Sequence, residues 1–451
     1  MKRTRVTVGA AWLAAALGVV SSADAQLSQG PDVILQDPSE AAFMGTIGGI
    51  NAYALGSWTC NVGNQNLIWA NNGTPAYAMN AFRLHNGRLV QIGQSWCKRA
   101  CCAAAGNGCG FGCNGQGGNV LGVGCLDVYG AGWNSQHGFL SPRSGINAWT
   151  GAFAGPHNAG GNAIFKRLQI QASDMNPSNF PGAQYFVDGV YVGTDDANAG
   201  NRNNNATYRR ATVSGTNIAV QGTAAVGKPA IYAWREHGGG PNVVDPSVTI
   251  EAVDVPNEGR FFVGNKVLDL GNGRWRYEYA IYNLCSDVAA GSFSVPLASG
   301  VVVVPGSVGF KDIDYHSGEV YSNTDWVAVE LDDSLVWSSS QTFAQNPNAN
   351  ALRWGTMYNF WFEAESGPVD ERGSLGLFKP HTPDSVNVAV LVPAGTPCAA
   401  DFDESGTVEV PDIFAYLSAW FAGDESADID GEPGIGVPDI FAFLSLWFAG
   451  C

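Results

Sequence analysis

The last 54 residues (398–451) hold oxygen-bearing side chains at a fixed spacing, written twice. Asp401, Asp403, Ser405 and Asp412 occupy positions 1, 3, 5 and 12 of one segment, and Asp428, Asp430, Glu432 and Asp439 occupy the same positions of a second, 27 residues on. A twelve-residue loop with oxygens at these offsets wraps Ca²⁺, position 7 giving a backbone carbonyl and position 9 acting directly or through water. Thr407 and Gly434 stand at position 7, and Glu409 and Gly436 at position 9. A hard cation taking six to eight oxygens accounts for acids at set intervals rather than in a run. Two ions are expected. The second site is expected to be the weaker, because Pro433 replaces the glycine (Gly406) that eases the turn in the first.

The element that must follow each loop is an amphipathic helix. Ile413, Phe414, Leu417, Trp420 and Phe421, and their counterparts Ile440, Phe441, Leu444, Trp447 and Phe448, recur at helical spacing, and Gly423 and Gly450 follow as C-terminal caps. Two loop–helix units with no entering helices resemble a dockerin, the calcium-dependent docking module of secreted multienzyme systems. The repeated VPDIFA-x-LS-x-WFAG and the terminal Gly-Cys are similar to the GC-type tail of secreted planctomycete proteins. The resemblance implies an all-α module over 398–451 whose partner is a cohesin-like protein or a cell-surface anchor. It places recognition on the helices and on Val410, Pro411, Val437 and Pro438. Val-Pro stands where cellulosomal dockerins carry small polar residues. A pseudo-twofold helix pair would bring its two ends together, so a Cys398–Cys451 disulfide is expected.

Residues 1–25 read as a secretory signal peptide: Lys2, Arg3 and Arg5 precede an apolar run from Val8 to Val20, and Ala23-Asp24-Ala25 offers a cleavage site. The run is too short to cross a bilayer, and no later segment is long enough, so no membrane span is expected in the mature chain. A net charge of −17 argues against nucleic acid and anionic membrane as partners, since counterion release would act in the wrong direction.

From Ile34 to Pro393 the texture is mainly β. Short apolar or alternating runs, among them 183–193, PAIYAW (229–234), RWRYEYAIYN (274–283) and 386–392, are divided by Gly, Asn, Asp and Pro. In the third, Trp275, Tyr277, Tyr279 and Ile281 face one way and Arg276 and Glu278 the other, the period of a half-buried strand. A multidomain organisation is expected: a Gly/Asn-rich, cysteine-stapled β domain over 26–255 and a β-sandwich over 256–393. The segment 275–392, with KDIDYHSGE and NPNANALRWGTMYNF, looks like a domain recurrent in secreted planctomycete proteins, to which no chemistry is attached. The polar stretch 195–205 (DDANAGNRNNN) is expected to be a loop, and Asn205-Ala-Thr207 matches a glycosylation sequon.

Ten cysteines in an exported chain favour disulfides. With Cys398 and Cys451 paired, the remaining eight are expected to pair within the body. The competing arrangement is a four-thiolate zinc site on Cys97, Cys101, Cys109 and Cys113. For catalysis the chain has neither a G-x-S-x-G elbow nor H-E-x-x-H. The best cluster is Asp312, Asp314 and His316, which on a strand would share one face and could act as acid and base or hold a metal; the bland alternative is a strand's wet face. His137, His157 and the pair Glu363 and Glu365 beside Trp361 are lesser candidates. Fourteen tryptophans suggest a polysaccharide platform, although Trp326, Trp337, Trp354 and Trp361 sit in strand-like runs where core packing is commoner. The expected function is therefore an exported non-catalytic surface, binding or structural protein attached through a calcium-dependent tail. The alternative is a dockerin-bearing polysaccharide-active hydrolase, which needs only two carboxylates flanking a cleft.

Overall fold

A computed structural model describes residues 27–70, 74–153, 160–314, 316–395, 398–403, 405 and 407–450. The signal peptide expected over 1–25, together with His157 and Cys451, lies outside the described residues. The chain is mainly β, with several antiparallel sheets and two longer helices at its end.

Strand Ala76–His85 shows how the layers arise. It lies inside a ten-stranded sheet, paired with Gln184–Val192 on one side and Arg88–Gln94 on the other. Tyr77, Met79 and Ala81 point into one core, shared with Val33, Leu35 and Cys125 of a four-stranded sheet. Ala76, Ala78, Phe82 and Leu84 point into a second core on the opposite face. A strand reads as a continuous apolar run when both of its faces are covered.

Strand Arg274–Asn283 repeats the device. Tyr277, Tyr279 and Ile281 enter a third core, whereas Ala280 and Tyr282 enter the second. The second core thus lies between the ten-stranded sheet and the five-stranded sheet that contains Arg274–Asn283. The third lies between that sheet and another five-stranded one, which supplies Phe293, Trp337, Leu375 and Val388. The alternation expected of RWRYEYAIYN holds, but the strand is not half-buried. Its polar face is covered as well, and Glu278 is only 2% exposed.

Three local expectations are corrected. PAIYAW is not a strand: Ala230, Ile231, Ala233 and Trp234 are buried where the chain turns into helix Tyr232–Glu236. Short apolar runs carry no period that separates the two states. The stretch 195–205 is not a plain loop, since Thr194–Ala199 is helical and Asp196 is buried, bonded by Val33 N and Asn205 Nδ2. That burial also takes Asn205 and Thr207 of the sequon out of solvent. Finally, the break placed near 255 is a hairpin turn, because Thr249–Asp254 pairs with Arg260–Gly271 across it.

Candidate functional site

The two C-terminal loops bring their acids together. Ligand atoms of Asp401, Asp403 and Asp412 lie within 4.8 Å of one another, and so do those of Asp428, Asp430 and Asp439. Among the described residues these are the only such clusters of acids, histidines or cysteines. Each position-12 aspartate sits in the first turn of its helix, Asp412 in Val410–Ala422 and Asp439 in Val437–Ala449, with Pro411 and Pro438 beside them. Proline is tolerated there because first-turn N–H groups have no helical acceptor.

The loops repeat the bonds that hold the position-12 and position-3 acids. Asp412 accepts from Glu409 N at 2.7 Å and Asp403 N at 3.1 Å, while Asp439 accepts from Gly436 N at 2.7 Å and Asp430 N at 3.2 Å. Ser405 N donates to Asp403 at 3.0 Å, and Glu432 N to Asp430 at 2.9 Å. Burial pushes the Asp412 carboxyl up, but the backbone donors of Glu409 and Asp403 outweigh it and hold the group below its usual value. Pro433 leaves the second loop's acids as closely gathered as the first loop's, with Gly434 supplying the left-handed turn at φ +101°. Hard carboxylate oxygens at this closeness repel one another and fit a divalent, oxygen-seeking cation. Ser405 Oγ lies 3.4 Å from Asp401 Oδ1, which places a further oxygen beside the first triad, and 3.2 Å from the Thr407 carbonyl.

The helices are related by the 27-residue repeat. Tyr416 and Phe443, equivalent positions, stack on each other with centroids 4.1 Å apart. Trp420 Nε1 donates to Gly436 O at 2.8 Å, and Trp447 Nε1 donates to Glu409 O at 3.0 Å. Each tryptophan near a helix end therefore caps the loop that begins the other helix, which requires the two helices to run antiparallel about a pseudo-twofold axis. Gly423 takes the left-handed cap conformation. The outward faces carry Phe414 and Phe441, each 66% exposed, Phe421 and Phe448, 78% and 79% exposed, and half-exposed Val410 and Val437. Cys398 is disulfide-bonded.

The sites expected in the body fare differently. The strand before KDIDYHSGE ends at Lys311, so Asp312, Asp314 and His316 share no strand face. Asp312 is buried and accepts from Asn350, which in turn bonds Tyr358. Desolvation raises its pKa to about 7. Asp314 is exposed and paired with Lys311. His316 is buried, its Nε2 at 3.2 Å from the Ile313 carbonyl and its Nδ1 without a partner; desolvation lowers its pKa to about 4. The segment is not a wet strand face, because Asp312 and His316 are buried. It clamps the two parts of the body: Glu319 accepts from Arg143 N and from Ser144 Oγ at 2.7 Å, and Ser317 Oγ donates to Gln94 O at 2.7 Å.

The cysteines also depart from expectation. Cys60–Cys109 and Cys113–Cys125 are bonded, but Cys97, Cys101, Cys102 and Cys285 are free thiols. A zinc site on Cys97, Cys101, Cys109 and Cys113 is excluded because two of its four sulfurs belong to separate disulfides. Cys97 and Cys285 are embedded in the second core, and burial pushes each up to about 12. Trp326, Trp337 and Trp354 are core residues, whereas Trp361 is half-buried beneath an arginine. Glu363 pairs with Arg274 and Arg276, and Glu365 is exposed. His137 lies in a short 3₁₀ turn, its pKa lowered by desolvation and by Arg167 and Lys166. Among the described residues no helix is long and apolar enough to cross a membrane.

No family model matches the chain, and no curated protein does. One solved structure, described as the complete structure of manganese lipoxygenase of Gaeumannomyces graminis and partial structure of zonadhesin of Komagataella pastoris, aligns over 81% of this chain and 93% of that one. The identity is 9% and the TM-score 0.18, an overlap that carries no argument about fold or function.

Proposed function

We propose that the chain is an exported, non-catalytic surface, binding or structural protein, attached or assembled through a dockerin-like tail that holds two calcium ions. The observation that carries this reading is the pair of carboxylate triads, each docked on the N-terminus of one of two pseudo-twofold helices. Asp401, Asp403 and Asp412, with Ser405 and Thr407, would hold the first ion; Asp428, Asp430 and Asp439, with Glu432 and Gly434, would hold the second. Calcium supplies the countercharge that lets three acids share one small volume. The exposed Phe414, Phe421, Phe441 and Phe448, with Val410 and Val437, form the apolar face that a cohesin-like protein or surface anchor would cover. In the body, the two five-stranded sheets around one core are read as a β-sandwich.

The test uses the whole mature protein. Stripped of metal and titrated with Ca²⁺ in a calorimeter, it should take up two ions and gain helical circular dichroism, and Asp412→Ala and Asp439→Ala should each lose one ion. Retention on the producing cells should require residues 398–451 and be reversed by a calcium chelator. No calcium uptake, or retention indifferent to the tail, would sink the proposal. Sugar release from a panel of polysaccharides would favour the hydrolase alternative.

A further inference from the structure

The chain holds only 23 Lys and Arg against 40 Asp and Glu, yet four of those cations line one cavity. The cavity, of about 370 Å³, opens where the hairpin joining Ala76–His85 to Arg88–Gln94 meets the sheet of Arg274–Asn283. Asn86 and Gly87 turn that hairpin with positive φ, and Trp234 Nε1 fastens it by donating to Gly87 O at 2.6 Å.

The cations are held in place before any ligand arrives. Arg88 forks onto Glu278 with two bonds of 2.6 Å, and its guanidinium lies 3.5 Å from the centre of the Trp361 ring. Arg83 bonds Asp174 and lies 3.3 Å from the centre of the Phe180 ring. Arg88 keeps a spare donor, since its Nη1 donates to no described protein atom. Arg276 shares the single carboxylate of Glu363 with Arg274, so one positive charge there is uncompensated. Lys311 adds a fourth cation, and Glu278 is the only carboxylate in the lining. Planar, stacked guanidiniums with free N–H groups match the two oxygens of a carboxylate, while Phe180, Trp361 and Val90 offer apolar wall to a carbon skeleton. The volume falls in the range of small-ligand sites, which favour junctions between packed units.

We propose that this cavity binds a small organic carboxylate carried on a body of about one ring, such as a uronic acid residue. It does not depend on the calcium tail, and the two readings can fail separately.

The experiment is calorimetric titration of the full-length protein with glucuronate, benzoate and neutral glucose at low and moderate salt. The acids should bind and glucose should not, with affinity falling as salt rises. The stronger of the two acids identifies the body as sugar or aromatic. Arg276→Gln, which leaves Glu363 paired with Arg274, should weaken binding about tenfold or more, the scale of one charge-assisted bond. Lys311→Gln, whose partner Asp314 is exposed, is a second variant that spares the fold. Failure of both acids to bind, equal binding of glucose, or affinities unchanged in both variants would overturn the proposal.

Discussion

Asp312 and His316 lie four residues apart and are both deprived of solvent, with opposite consequences for stability against pH. Asp312 has a folded pKa of about 7, above the ordinary 3.8 of an aspartate, so its neutral form is the one the fold prefers. Its contribution is complete below about pH 4 and is lost as pH rises through 7. His316, lowered to about 4, contributes fully above its ordinary 6.5 and loses that as pH falls through 4. Asparagine at 312 cannot ionise and still offers an oxygen to Asn350. Asp312→Asn should therefore gain stability over the parent at pH 8, on the order of 1–3 kcal/mol at ~1.4 kcal/mol for each unit a pKa moves, and should show little gain at pH 4. Urea midpoints across that range check it, and parallel profiles would refute the buried-carboxyl account. That the two residues would not share a strand face was not legible in the sequence. An acid–x–acid–x–histidine run looks the same whether the strand continues or stops, and here it stops one residue before Asp312.

At the scale of elements, the tail was the most legible part of the chain and PAIYAW among the least. A duplicated spacing carries its own check: Asp401 with Asp428, Asp412 with Asp439 and Trp420 with Trp447 must each be explained twice by one geometry. PAIYAW offers six residues with no period and no cap, and its conversion to a helical turn depends on what Trp234 packs against, a fact of distant sequence. What the repeat did not announce is the tryptophan exchange, because indole donors and backbone acceptors 16 and 38 residues away leave no periodic mark. The exchange makes a quantitative prediction. Trp420→Phe and Trp447→Phe keep the aromatic packing and remove one hydrogen bond each, so each should cost about 1 kcal/mol. By the pseudo-twofold relation the two costs should agree within a few tenths of a kcal/mol. Thermal melts of the full protein followed by helical circular dichroism measure this. A large loss from one variant and none from the other would mean the helices are not related as described.

The whole body is a stack in which sheets alternate with cores, and its middle core settles how the parts cooperate. A boundary near 255 was a reasonable expectation from Val-Pro-Asn-Glu-Gly, a turn sequence between apolar runs. A turn inside a hairpin and a turn between domains are built from the same residues, so composition could not tell them apart. Phe82, Trp234, Tyr282 and Trp354 pack in one cluster although they span both sides of that turn. Arg143, 2% exposed, joins the same two parts: it donates to Ser95 O at 2.7 Å, Asn80 Oδ1 at 2.8 Å and Gly355 O at 2.8 Å. Arg143→Met would keep most of the volume but take the donor from Ser95 O and Gly355 O, at about 1–3 kcal/mol for each group that water cannot reach, while Asn80 Oδ1 keeps Gln91 Nε2. Because the core is shared, the cost should fall on the body as one unit. Scanning calorimetry should give a single body transition for the parent and the same single transition, several degrees lower, for Arg143→Met. Calcium removal should leave that transition in place, since the tail's aromatic cluster is drawn from its own residues alone. Two body transitions in the parent, one of them unmoved by the substitution, would mean that residues before and after 255 fold independently and that the shared core contributes little.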